Sequence, residues 1–271
     1  MNRRNFLLAA PALLDAPYLA SGQNEAPWPN RPLRMISPWP PGRSTDMQSL
    51  LPAQHLTDRL GKTVIPENRA GALVNVLVRG QSNALLFVDR GGVWKLADQL
   101  KTAGFPIAVL AEYGTDTSTI HSGTPFMAWG TGGQRKSLLA FLAKQPAATR
   151  ARKTITLWIH NENEQNSDVK KADWLQEVRA DAMLVRVALG QTAATTPYIF
   201  IPVRYNYGKN WEWETGMKEL VADASFNASF SEAFKGAKMT GDGQPNSSHL
   251  GDEDMAPIAA ALAPVVLAVL Q

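Results

Sequence analysis

Val74-Asn75-Val76-Leu77-Val78-Arg79-Gly80-Gln81-Ser82-Asn83 is the stretch on which the reading of this chain turns. Val74 to Val78 is a β-branched apolar run, apolar on both alternating faces, and it meets a sharp turn at Gly80. Such a run suits a strand covered on both sides rather than one with a wet face. Similar short runs recur at Ile107 to Ala111, Thr154 to Trp158 and Pro197 to Val203. Between them lie helical patterns at about Val93 to Thr102, Lys136 to Ala143 and Ala172 to Leu189, and a last one runs from about Glu253 to Leu270. Buried strands alternating with amphipathic helices predict a three-layer α/β/α sandwich around a mainly parallel sheet. In such folds ligands bind outside the carboxyl ends of the strands. Those ends are therefore the places to inspect.

At the first of them, Ser82 directly follows a buried strand and a turn-permitting glycine, so its hydroxyl can be presented at the sheet edge. At a later strand end comes Trp158-Ile159-His160-Asn161-Glu162. Just before the final helix comes Asn246-Ser247-Ser248-His249-Leu250. A serine hydroxyl is a weak nucleophile near neutral pH and needs an adjacent imidazole to take its proton. A serine, a donor-rich loop and a histidine before the closing helix can supply that arrangement. Each residue also has a plainer reading: Ser82 as a turn serine, His249 as a helix-start cap, Glu162 as a solvated loop carboxylate and His160 as a satisfied strand-end histidine. His55 and His121 read as bland. Trp211 and Trp213 fit either a sugar-lined cleft or the packing of an irregular loop.

On these blocks residues 73–271 resemble the SGNH hydrolase superfamily, and in particular its carbohydrate esterases. Gly80-Gln81-Ser82-Asn83 matches the nucleophile block. Thr131-Gly132-Gly133 is similar to the second block, Trp158 to Glu164 to the third, and Asn246 to Leu250 to the histidine block. The resemblance implies an esterase removing an O-acyl group, O-acetyl first among them, from a carbohydrate or polysaccharide, with a polysaccharide O-acetyltransferase or a silent carbohydrate- or carboxylate-binding protein as alternatives. It implies Ser82 as nucleophile and His249 as general base. It implies an oxyanion site from the Ser82 and Gly132 amides with Asn161, and substrate contacts at Gln81, Asn83, His160 and Glu162. No cofactor or metal is implied. Asn246 stands where the family carries an aspartate and is implied as the third catalytic residue: its amide oxygen can accept from the His249 N–H, although it supplies no charge to an imidazolium. Asp242, Asp252 and Asp254 are close enough in sequence to replace it, and a backbone carbonyl would also serve.

The chain opens differently. Met1 to Asn5 is a short basic segment and Phe6 to Ala20 a mostly apolar one, which reads as a signal peptide over residues 1–21. Arg3-Arg4-Asn5-Phe6-Leu7 looks like a twin-arginine signal, so the expected location is periplasmic or secreted. Residues 22–72 read as an appendage of strand, helix and strand, with Ser44 as N-cap of a helix closed by Gly61. Trp28-Pro29-Asn30-Arg31-Pro32-Leu33-Arg34, Pro38-Trp39-Pro40-Pro41-Gly42 and Glu67-Asn68-Arg69-Ala70-Gly71 make the first 72 residues resemble the start of tripartite tricarboxylate transporter solute receptors. Nothing after residue 73 continues that family.

Composition narrows the partners. The 271 residues are 45% hydrophobic with a formal net charge of +3, and losing Arg3, Arg4 and Asp15 with the leader leaves +2. No cluster of Lys and Arg builds a phosphate-tracking groove, so nucleic acid is not expected. The absence of cysteine removes disulfides, thiolate metal sites and a Cys nucleophile. The apolar tail from Ala256 to Leu270 is expected to be too short for a membrane span and to pack on the sheet.

Overall fold

A computed structural model describes residues 33–37, 44–68, 73–205, 208–244 and 247–271. The expected signal peptide therefore lies outside the described residues, and so does Asn246. Near the N-terminus, β1 (Leu33–Ser37) and β2 (Val64–Asn68) pair in parallel through the helix α1 (Ser44–Leu60), and they form a two-stranded sheet of their own. This is the expected strand-helix-strand unit.

The main sheet has five strands, all parallel: β3 (Val74–Gly80), β4 (Ile107–Leu110), β5 (Thr154–His160), β6 (Tyr198–Pro202) and β7 (Ala228–Phe230). Their order is β4-β3-β5-β6-β7. The chain first steps from β3 to β4 on one side and then to β5 on the other. The switch point of the topology is thus the gap between the carboxyl ends of β3 and β5, where α/β proteins open a crevice.

Period-two alternation assigns the strand side chains to two cores. Val74, Val76 and Val78 of β3, Ile155, Leu157 and Ile159 of β5, and Ile199 and Ile201 of β6 face one layer. That layer comprises α2 (Ser82–Asp89), α3 (Gly92–Thr102) and α8 (Met255–Leu270), contributing Phe87, Leu96, Leu100, Ile258 and Leu262. On the opposite face, Trp158, Tyr198 and Phe200 pack with Trp174 and Val178 of α6 (Lys171–Leu189) and with Trp213 and Met217 of α7 (Glu212–Ala222). Leu77 and Leu110 meet Leu138 and Leu142 of α4 (Gln134–Lys144) on that same side. The one-turn α5 (Ala147–Arg150) precedes β5. The expected three layers are present, and each fully buried strand side chain contributes about 1.5–3 kcal/mol of burial.

Three elements differ from the sequence reading. Residues 82–89 form a helix that begins at the serine itself. Trp213 is buried within α7 rather than lying in an irregular loop. The short β7 adds an edge strand that the polar-interrupted Ala228-Ser229-Phe230 did not suggest. The C-terminal helix also needs a correction. Counted from Asp252 it reaches 19 residues, long and apolar enough by length and composition to cross a membrane. Its length alone does not exclude a span. One face packs in the core: Met255, Ile258, Leu262 and Val266 are buried, while Ala256, Ala260, Ala261 and Pro264 face outward.

The opposite face holds a fully buried charged pair. Arg79, the last residue before Gly80, is fully buried and paired through both terminal nitrogens with the buried Asp181 of α6. Its guanidinium lies 4.9 Å from the Trp158 ring centre and 5.3 Å from that of Trp129. A planar cation suits both the carboxylate fork and the indole faces.

Candidate active site

The site is built on the turn after β3. At Gly80 the backbone sits at φ 153°, and an added Cβ would lie 1.8 Å from the Ile159 carbonyl oxygen of β5. Only glycine lets the two strand ends approach this closely. The chain then enters α2 with Ser82 as its first helical residue. An amide in the first turn has no partner within the helix and points outward with the positive end of the helix dipole. Ser82 thus presents a hydroxyl together with an N–H that has no backbone acceptor among the described residues.

The Ser82 Oγ lies 3.1 Å from His249 Nε2. The other ring nitrogen, Nδ1, lies 2.9 Å from each carboxylate oxygen of Asp242. His249 and Asp242 side chains are 33% and 50% exposed. The hydrogen bond from His249 holds the Asp242 carboxyl below its usual range. Of the three acids adjacent in sequence, only Asp242 meets the imidazole. Asp254 is buried and accepts from the N–H groups of Lys238, Met239 and Gly251 at 2.7, 3.2 and 2.8 Å, bracing the loop that carries the histidine. Asp252 is exposed and pairs with Arg90 at 3.4 Å.

Gln81 and Asn83, expected to touch substrate, are buried with their amides committed to the protein. Gln81 Oε1 accepts from the N–H groups of Glu162 (3.1 Å) and Asn163 (3.2 Å), while its Nε2 donates to the Thr124 carbonyl. Asn83 Nδ2 donates to the Ser248 carbonyl at 3.0 Å, and its Oδ1 accepts from Leu250 N–H at 3.0 Å. Both residues hold the serine turn against the other loops, and neither is placed to bind substrate.

Two of the expected oxyanion donors are also displaced. The Gly132 N–H donates to the Ala128 carbonyl at 2.8 Å, and Gly132 lines a different cavity from Ser82. Asn161 is fully buried and outside the Ser82 cavity. The cavity of about 440 Å³ around Ser82 is instead lined by Ser122, Gly123, Glu162, Asn163 and His249 among others. Gly123 arrives there because Ile120 makes an isolated parallel bridge with Gly80 and His121 N–H donates to the Gly80 carbonyl at 2.8 Å. Among the described residues, the Gly123 N–H has no backbone acceptor, and the exposed Asn163 side chain has no partner. A glycine two residues beyond a histidine in a polar loop carried no signal, since nothing local marks the bridge to Gly80.

Glu162 does lie in the Ser82 cavity. It is buried, and its Oε1 accepts from Asn83 N–H and Nδ2, each at 3.2 Å. Burial pushes its carboxyl up to about 8, so near neutral pH it is a neutral acid. His160, by contrast, does not reach the cavity. It is fully buried among Phe126, Trp129 and Trp158, with Nδ1 3.7 Å from Glu164 Oε2. Burial, then Arg79 and His121, hold its pKa well below the usual histidine value. A neutral packing residue results. Among the described residues no group of three or more His, Asp or Glu could hold a metal ion.

No family model matches the chain. Among curated proteins it is similar to Protein BugT of Bordetella pertussis, 38% identical over 72 residues, which are 27% of this chain and 22% of that protein. The match falls in part on the N-terminal segment, and the chain thus spans under a quarter of the length of this relative. Among solved structures it is similar to a protein described as a GDSL-like lipase from Parabacteroides merdae, at TM-score 0.47 and 14% identity, covering 74% of this chain and 99% of that one. It is also similar to the lipase Lip_vut3 from a goat rumen metagenome, at TM-score 0.41 and 9% identity over 70% and 96% of the two chains. The salicylyl-acyltransferase SsfX3 of a tetracycline biosynthetic pathway gives TM-score 0.42 and 10% identity over 75% and 58%.

Proposed function

We propose that residues 73–271 form a serine esterase that removes a short O-acyl group, most simply O-acetyl, from a carbohydrate. The observation that carries this reading is the hydrogen-bonded chain Ser82–His249–Asp242 at the switch point of the sheet. Asp242 holds His249 with a proton on Nδ1, leaving Nε2 free to accept the Ser82 proton as Oγ attacks the acyl carbon. The negative oxygen of the tetrahedral intermediate is met by the Ser82 and Gly123 N–H groups and the Asn163 side-chain amide. His249 then protonates the departing sugar oxygen. Water, activated by the same imidazole, releases the acyl group from Ser82.

The cavity argues for a short acyl chain. Its lining is hydroxyl, amide, carboxyl and imidazole, with Tyr205 the single large ring among the described residues, and a fatty chain would find no apolar trench. The leader-like N-terminus makes the periplasm or the exterior the proposed location. Hydrolysis of p-nitrophenyl acetate by the mature protein, with an initial burst and with loss of activity after a serine-directed phosphonate, is the expected result. Absence of turnover together with failure of the phosphonate to label Ser82 would refute the mechanism. Supplying a sugar alcohol in the same assay reads the partition between water and alcohol, and therefore hydrolase against transferase.

A further inference from the structure

A second cavity of about 420 Å³ adjoins the first, and Ser122 lines both. Its floor is Ile120 and His121. One wall is Gly132, Gly133 and the first turn of α4, and the exposed ring of Tyr113 stands at its rim. Among the described residues no Asp, Glu, Lys or Arg lines it. Three buried polar atoms from different parts of the lining have no protein partner: His121 Nε2, Ser137 Oγ and Gln134 Oε1. His121 and Ser137 are each only 6% exposed. Buried polar atoms almost always find hydrogen bonds, and leaving one without a partner costs about 1–3 kcal/mol. All three belong to residues that line one concave space, and a side-chain rotation is enough to turn Ser137 Oγ or Gln134 Oε1 onto a bound molecule.

The chemistry of the lining narrows that ligand. His121 is held neutral, its pKa lowered to about 4 by burial first and by Arg79 second. The α4 amides begin at Gln134, behind Gly133, which carries no side chain to cap them; of these the Arg135 N–H donates to the Trp129 carbonyl at 3.0 Å. Gln134 folds back so closely over Gly132 that a Cβ there would lie 2.3 Å from its Oε1. The walls therefore offer neutral donors and acceptors at several angles, with one aromatic ring and no countercharge. The volume falls at the small end of ligand pockets, about 300–1,000 Å³. Hydroxyl groups around a ring satisfy such a lining; a carboxylate finds no cation, and an alkyl chain leaves the polar atoms unpaired.

We infer that this cavity binds one neutral, polyhydroxylated sugar ring, and that it receives the alcohol side of the ester cleaved at Ser82. The second half of that statement rests on the serine-esterase reading; the binding of the ring does not. The test therefore measures binding without turnover. In full-length protein carrying Ser82→Ala, methyl glycosides of neutral hexoses are titrated by calorimetry and by saturation-transfer NMR, beside methyl glucuronide and cyclohexanol. Neutral glycosides should bind, with a Kd in the range of about 1–10 mM expected for a few hydrogen bonds. Adding Ser137→Ala or Gln134→Ala should weaken binding by about tenfold, the worth of one such bond. Tyr113→Ala, at a residue that is 59% exposed and cannot disturb the core, should weaken it as well.

Neutral glycosides that fail to bind, or that bind all three variants as well as the parent, overturn the inference. Preference for the glucuronide, or equal binding of cyclohexanol, overturns it too. The esterase reading fails separately. If the glycosides bind as stated while the protein with Ser82 intact turns over neither acetylated glycosides nor p-nitrophenyl acetate, the sugar site stands and the chemistry assigned to Ser82 falls.

Discussion

The two halves of the Ser82–His249 pair are held in different ways. The turn at residues 80–83 grows out of a central strand. Gly80 abuts the Ile159 carbonyl, and Gln81 and Asn83 are buried with their side-chain amides bonded to neighbouring loops. Residues 239–244 and 247–251, among which Met239 and Leu250 are buried, form no strand or helix around His249. They hang from Leu250, whose side chain is in the core and whose N–H reaches Asn83, from the Asp254 carboxylate, and from Arg90 donating to the Gly241 carbonyl at 3.2 Å. The nucleophile inherits the rigidity of the sheet, whereas the base is suspended by a few hydrogen bonds. A rigid nucleophile with a looser base implies that changes at the turn act on chemistry or on folding outright, and changes in the loop act through the placement of one imidazole.

The largest effect should come from the rigid side. Ser82→Ala removes the attacking atom, and loss on the order of 10⁶-fold in kcat is expected where serine, histidine and acid act as a unit. The thermal midpoint should move little, because the side chain is only partly buried. Asp242→Asn comes next. It leaves the loop's other hydrogen bonds in place but lets His249 adopt the wrong tautomer, a change that costs about 10⁴-fold in kcat. A loss under tenfold would mean that the loop orients the imidazole by another group.

Arg79→Met probes the support beneath the turn. It strands the Asp181 carboxylate in the core, and breaking a buried pair costs about 3–5 kcal/mol. Urea unfolding should show the loss, and unchanged stability would mean that Asp181 finds another cation. Arg135, whose Nε lies 3.5 Å from Asp181, is the neighbour able to supply one.

Glu162 links the two sides through Asn83 and gives a pH signature. Its folded-state pKa is about 8, against an ordinary 4.5. The native state therefore keeps a proton that the unfolded chain has lost, and stability falls as pH rises from about 4.5 to about 8, then levels. The slope for one such group is about 1.4 kcal/mol per pH unit. Glu162→Gln should flatten this part of the stability profile, as read from urea midpoints at several pH values. The smallest effect is expected at Asn246→Asp. With Asp242 already against Nδ1, an added carboxylate is superfluous, and kcat should stay within about threefold. A large rise would return the acid's role to position 246.

Much of this site was legible locally. An apolar run followed by Gly80 and Ser82 announces a buried strand and a turned-out hydroxyl, and His249 stands just before an apolar closing helix. The acid was not legible. Asp242, Asp252 and Asp254 lie within a short polar segment with nothing local to rank them, and the loop alone chooses by turning Asp242 onto Nδ1 while burying Asp254 beneath its own backbone. The glycine of the oxyanion site misled for a related reason. Gly132 precedes a helix in an inviting sequence context, yet its N–H is consumed by the Ala128 carbonyl, while Gly123 is carried to Ser82 by one bridge between Ile120 and Gly80. For Gln81, Asn83 and His160 the sequence context points to the site, but residue type does not reveal whether an amide or an imidazole is already hydrogen-bonded or buried.

The sequence by itself determined the parallel α/β layering and the placing of Ser82 at a strand end. Strand burial on both faces and a glycine-ended turn are properties of a few consecutive residues, and their periodicity is written along the chain. Only the tertiary structure decided which acid bonds His249, which glycine lines the Ser82 cavity and which buried polar atoms are left without a partner among the described residues. Those choices depend on contacts between segments tens of residues apart, where a single hydrogen bond diverts a group to structure or leaves it free for chemistry.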